Sequence, residues 1–134
     1  MVLKNNDLGL LFLRLSVGGL MLFHGIAKIT HGIDFIEGMM VGKGLPGFLA
    51  YGVYIGELVV PLLILVGFRT RLASLIYVIN CLTIILLAHS ADIFKLNEFG
   101  GWALELVGLY MLGALALFFT GGGRFSVSNT NDWD

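Results

Sequence analysis

The sequence is short of charge. Asp, Glu, Lys and Arg make up only 13% of its 134 residues, against roughly 25% in an ordinary soluble domain. Hydrophobic residues reach 57% and mean hydropathy is +0.92. So small a chain has no core large enough to hide that much apolar surface from water, so a lipid bilayer is the solvent that fits, and the length suits one domain. The net charge of −1 excludes a strongly basic nucleic-acid binder. No Gly-rich phosphate loop follows a strand-like run, and no motif for flavin, nicotinamide or an iron–sulfur cluster is present. Cys81 is the single cysteine, which excludes an internal disulfide and a cysteine-based metal cage. Set in an apolar run, it reads as a small core residue, since a reactive thiol needs electropositive, accessible surroundings.

What is there is apolar sequence in long runs. A membrane-crossing helix takes about 20 mostly apolar residues, and four windows qualify: about 8–29, 48–68, 72–89 and 101–120. None alternates with period two, which disfavours a β-barrel. Arg14 interrupts the first window and no small-x-small site follows it, so this window reads as a retained span rather than a cleaved signal. Gly44-Leu45-Pro46-Gly47, the stretch Gly67 to Arg71, and Gly121-Gly122-Gly123 punctuate the boundaries. Ser126 to Asp134 reads as a short, polar, loosely ordered end. The expected fold is an all-α membrane protein, a four-transmembrane-helix bundle within one domain over residues 1–134. Between the first two helices, Ile33, Phe35, Ile36, Met39 and Met40 mix with Asp34, Glu37 and Lys43, the pattern of a short helix lying in the interface; a lid over a binding site is the sharper reading.

Lys4, Arg69, Arg71 and Arg124 fall on one side of this topology, Lys28, Lys43 and Lys95 on the other beside Asp34, Glu37, Asp92 and Glu98. Positive charge in short loops stays inside, which places both termini in the cytoplasm.

Inside the spans lie Arg14, His24, Glu57, Asn80, His89 and Glu105. Charges at such depth cost free energy, so they face the bundle interior and pair. At about 1.5 Å of rise per residue, Arg14 lies roughly 9 Å and Glu57 roughly 15 Å from the cytoplasmic end, and Glu105, His24 and His89 roughly 21, 24 and 27 Å. Two layers are expected: a central one of Arg14, Glu57 and Asn80 with an Arg14–Glu57 pair, and an outer one of His24, His89 and Glu105 with Lys28 at its rim. Gly52, Gly56 and Gly18-Gly19 allow close helix packing, and Pro61 kinks the second span one turn after Glu57.

The ordered set Arg14-Leu15, Phe23-His24-Gly25 with Lys28, Gly44-Leu45-Pro46, Glu57 with Pro61, Gly67 with Thr70-Arg71-Leu72, His89, Glu105 and Gly121-Gly122-Gly123-Arg124-Phe125-Ser126 resembles the DoxX family of small bacterial and archaeal membrane proteins. It departs from the family at Gly122-Gly123, where members commonly read Gly-Pro-Gly before the Arg. The resemblance implies a multi-pass protein of the cytoplasmic (inner) membrane. It also implies an association with quinone-linked oxidoreductases, since relatives include subunits of a quinol oxidase and of thiosulfate:quinone oxidoreductase.

Read for chemistry, His24, His89 and Glu105 are the candidate catalytic groups, able to hydrogen-bond a quinone headgroup and handle its protons. Arg14, Glu57, Phe23, Trp102 and Tyr54 are the candidate binding residues, the aromatics as apolar walls. A redox partner subunit has to bring any electron-carrying cofactor. His24 and His89 also stand at similar depth on different helices, as a bis-histidine haem requires, but nothing else in the sequence supports haem. The rival class is non-enzymatic, a small transporter or a scaffold subunit whose buried charges hold helix register. No feature points to nucleic acid, and none sets an oligomeric state.

Overall fold

A computed structural model describes residues 3–134. Its helices are α1 (Asn6–His31), α3 (Gly47–Val66) and α4 (Thr70–Ala88), each long and apolar enough to cross a membrane, and the shorter α5 (Glu105–Thr120). Between α1 and α3 lies α2 (Asp34–Gly42), over the stretch read as an interfacial helix. Among the described residues there is no β-strand, only an isolated bridge between Leu96 and Trp102. At 16 residues, α5 is about 24 Å long. The four residues before it belong to a loop that Asn97 organises, its Oδ1 accepting from the amides of Phe99 and Gly101.

Glycines set the register between α1 and α3, which run antiparallel. A Cβ on Gly18 would stand 2.6 Å from the Pro61 carbonyl oxygen and 2.9 Å from the Leu65 amide nitrogen, and one on Gly25 would overlap the Glu57 carbonyl. These positions lie two turns apart on one face of α1, so the two backbones touch along a seam. Each helix carries one π-helical turn beside that seam, Leu15–Gly19 in α1 and Ile55–Val59 in α3. A π-turn loosens the helical ladder. In α1 the Tyr77 hydroxyl makes up for this by donating to the Val17 carbonyl at 2.9 Å. In α3 the turn is followed by Pro61, whose missing N–H deprives the carbonyl one turn back of its usual donor. The core comprises Val17, Met21, Val60, Ile64, Ala73, Tyr77, Cys81, Ala114 and Leu117, and α5 closes it, with Gly113 against Val17.

Arg14 is buried (1% exposed), and it does not meet Glu57. Instead its Nε donates to the Ile64 carbonyl at 3.0 Å, Nη2 to that of Leu65 at 2.9 Å, and Nη1 to those of Gly122 and Phe125 at 3.2 and 2.9 Å. The last four carbonyls of a helix lack partners within it. In α3, Leu63 accepts from the amides of Gly67 and Phe68, Ile64 and Leu65 from Arg14, and Val66 from the Val127 amide. The expected Arg14–Glu57 pair fails because the glycine seam sets Arg14 against the end of α3, about two turns beyond Glu57. Gly67 turns the chain there with φ +80°, and a Cβ on it would stand 2.8 Å from Arg14 Nη2.

The expectation of a loose C-terminal stretch is also overturned. The Trp133 carbonyl caps the first amides of α4, accepting from Arg71 and Leu72. Arg71 in turn donates to the Phe118 carbonyl in the last turn of α5 at 2.8 Å and to that of Asp132. The Asp134 carboxylate accepts from Ser128 Oγ and the Thr130 and Asn131 amides, and pairs with Arg69 at 3.1 Å. Burial pushes this carboxyl up, but the bonds from Ser128, Asn131, Thr130 and Arg69 outweigh it and hold the group at about 2. These helix ends exposed donors and acceptors that the polar tail could satisfy, which is why the tail is ordered.

Three outcomes are expected. Gly18→Ala pushes backbone against backbone and lowers stability by about 1–3 kcal/mol, measurable by denaturant unfolding in detergent. Arg14→Met strands four carbonyls and costs on the order of 3 kcal/mol or more by the same assay; Arg14→Lys does not restore it, because an ammonium lacks the planar fork. The Asp134 clasp, whose carboxyl is held below its ordinary 3.8, is at full strength above pH of about 4 and is lost as pH falls through about 2. The amide resonances of Thr130 and Asn131 should titrate with it.

Candidate functional site

The seam that sends Arg14 to one end brings Glu57 opposite the last turns of α1. Glu57 is 6% exposed, within the π-turn of α3. Its Oε2 lies 3.4 Å from Lys28 Nζ and accepts no hydrogen bond. The ion pair is therefore a charge contact without hydrogen-bond geometry. A carboxylate offers about four acceptor sites, so Glu57 keeps capacity for another donor.

Two cavities meet at this pair. The larger, about 510 Å³, lies between α2, α3 and α4; Ile36, Met39, Met40, Val53, Ile76 and Ile84 are among its apolar walls, and Asn80 and Thr83 face it. The smaller, about 290 Å³, is lined by Met21, His24, Val107 and Tyr110 among others. Lys28, Glu57, Ile84 and His89 line both. Small residues shape the larger one: Asn80 packs against Gly56, where any Cβ would collide with its side-chain amide.

His24 and His89 thus come together around one cavity, as expected from their depth. The ring of His24 stands edge-on to Tyr110, centroids 6.0 Å apart. His89 Nδ1 is 3.5 Å from Asp92 Oδ2, and Asp92 also faces Lys95 at 3.7 Å. Among the described residues no three His, Cys, Asp or Glu side chains assemble into a metal cage.

Other expected members lie elsewhere. Glu105 lines neither cavity; it opens α5 and accepts from Asn97 Nδ2 at 3.1 Å. In the first turn a carboxylate favours the positive helix end and the adjoining loop over the bundle interior. Phe23 is 71% exposed because Met21 and Gly25 hold the interior face of α1, and a residue between them points about 200° from either. Trp102 donates its indole N–H to the Ile93 carbonyl at 2.7 Å and packs on Gly108, so it braces the loop. The Tyr54 hydroxyl lies 3.4 Å from the Lys28 carbonyl, tying α3 to α1 beside the ion pair. Neither aromatic lines either of these two cavities. Arg14 belongs to the opposite end of the bundle.

Tyr110 is the member that sequence reading passed over. It sits four residues before Ala114 and seven before Leu117, both fully buried; that helical spacing marks the interior face of α5 and was the available signal.

A family model described as DoxX matches residues 9–90. Comparison with curated proteins and with solved structures gives no match. The matched stretch carries Arg14, His24, Lys28, Glu57, Asn80 and His89, and ends before Tyr110.

Proposed function

From its place in the DoxX family, to which the chain belongs, and from the geometry around Glu57, we propose a four-span protein of the bacterial or archaeal cytoplasmic membrane that binds a quinone. The observation that carries this reading is the buried Glu57 carboxylate, on a wall shared by two cavities and held by one long contact to Lys28. The larger cavity falls within the 300–1,000 Å³ common to small-molecule sites, which pair apolar walls with a few convergent polar groups. An ion pair carries no net charge, so this polar patch suits a neutral headgroup better than a phosphate. Lys28, Asn80 and His89 can donate to a carbonyl, and Glu57 can accept from a hydroxyl. The apolar walls suit an isoprenoid or other hydrocarbon tail.

The fourth span and the orientation rest on physical arguments. At about 24 Å, α5 is shorter than a bilayer core of about 30 Å, a mismatch that local thinning accommodates. Lys4, Arg69, Arg71 and Arg124 stand at the end of the bundle that holds both termini, which supports cytoplasmic termini. Quinone turnover would further require a partner subunit bearing a redox cofactor.

A scaffold role competes, and one observation favours it: Arg14 spends all four of its hydrogen bonds on main-chain carbonyls, two ending α3 and two in the segment after α5. Titrating protein in nanodiscs with a short-chain benzoquinone decides between the two. Saturable binding is expected, weakened at least about tenfold in Glu57→Gln through loss of a charge-assisted hydrogen bond and its Lys28 partner. Absence of binding sinks the quinone reading and leaves the scaffold, whereas equal binding by a stably folded Glu57→Gln removes Glu57 from the headgroup site.

A further inference from the structure

The two ends of the bundle differ in what they let through. Towards the end bearing α2, the wall around Glu57 leads outward. Lys28 and His89 have side chains 30% and 46% exposed, and Asp92, next to His89 Nδ1, is at the surface. His24 on α1 and Tyr110 on α5 face the smaller cavity, and Asn80 on α4 faces the larger one. Thr83 on α4 also faces the larger cavity, and Tyr77 and Cys81 on the same helix lie within electrostatic reach of Glu57.

Towards the other end, the way is shut. Val60, Ile64, Tyr77 and Leu117 are all at most 2% exposed. The Tyr77 hydroxyl is engaged by the Val17 carbonyl. Beyond them the Arg14 guanidinium is bonded to four carbonyls. Among the described residues Thr70 and Ser74 carry buried hydroxyls without a partner there, and both lie on the Arg14 side of Tyr77 along α4.

We infer that Glu57 is a proton-binding site open to one face of the membrane only, the face that carries α2 and the 93–104 loop. Its carboxylate takes a proton from hydronium that enters through the cavities and leaves water behind; the Lys28 ammonium then loses its counter-ion. The opposite face supplies no proton, because the apolar Val60, Ile64 and Leu117, the engaged Tyr77 hydroxyl and the saturated Arg14 interrupt any path. Any ligand that gains or loses protons at this wall therefore exchanges them with the α2 face. The inference rests on the membrane-spanning reading of the helices and not on the identity of the ligand.

The test uses no quinone, so its failure is separate from that of the proposed function. Dicyclohexylcarbodiimide, which partitions into bilayers, reacts with protonated carboxyls: the carboxyl oxygen bonds to the central carbon, the proton passes to nitrogen, and acyl migration gives a stable N-acylurea. The full chain is reconstituted in sealed vesicles, and the outward face is assigned by whether external trypsin cuts at Lys95 or at Arg124. The pH inside and outside is set separately, and the adduct at Glu57 is quantified by mass spectrometry. Labelling is expected to fall by up to about tenfold for each pH unit gained on the α2 face, and to ignore pH on the other. Labelling that follows the Arg14 face, labelling that follows both faces, or no adduct at any pH would overturn the inference. So would an equal yield of adduct from the Glu57→Gln chain.

Discussion

The bundle depends on a buried guanidinium that, among the described residues, pairs with carbonyls and with no carboxylate. Arg14 meets four main-chain carbonyls, two ending α3 and two in the segment after α5. In a membrane no water satisfies such carbonyls, so each needs a donor from the protein. The carbonyl end of a helix also carries partial negative charge, so the same contacts that satisfy the backbone stabilise the cation. A planar fork of donors suits carbonyls at several angles in a way that a single ammonium does not. Removing Arg14 would therefore expose a buried charge problem in reverse: acceptors without donors, at the junction of α1, α3 and the tail.

Everything near Arg14 serves to close that end. Gly67 turns α3 without a side chain that would strike the guanidinium, the tail lies across the α3–α4 turn, and Arg71 repeats at the end of α5 what Arg14 does for α3. At the other end Gly25 brings α1 against the α3 backbone, Gly56 makes room for the Asn80 side chain, and space is left over. The asymmetry follows from where the cations find acceptors. Arg14 finds enough carbonyls to be fully engaged, whereas Lys28 finds one buried carboxylate at 3.4 Å and leaves it under-bonded between two cavities.

Much of this was legible beforehand, and the failures share a cause. Apolar runs place the long helices, and mixed polarity places α2, because both are local signals. His24 and His89 share a cavity because a straight helix converts chain position into depth. Depth misleads for Arg14 and Glu57, where their partners depend on how far α1 slides along α3. The Gly18–Gly25 spacing holds that information, but it becomes a register only when the partner helix is known. Glu105 misleads for another reason: α5 begins there, so a residue expected inside a span is a first-turn residue facing a loop. The tail reads as loose because its composition is polar, while its order comes from helix ends far away in the chain.

The sequence by itself determined that the chain is helical and lipid-embedded, and which side chains bear the costly charges, since composition and periodicity act over a few turns. Only the tertiary structure decided which charge meets which partner. Two antiparallel helices can slide by a turn without changing their apolar faces, and it took glycine contacts, π-turns and unsatisfied helix ends together to choose one register. That choice sends the arginine to seal one end and leaves the glutamate facing open space near the other.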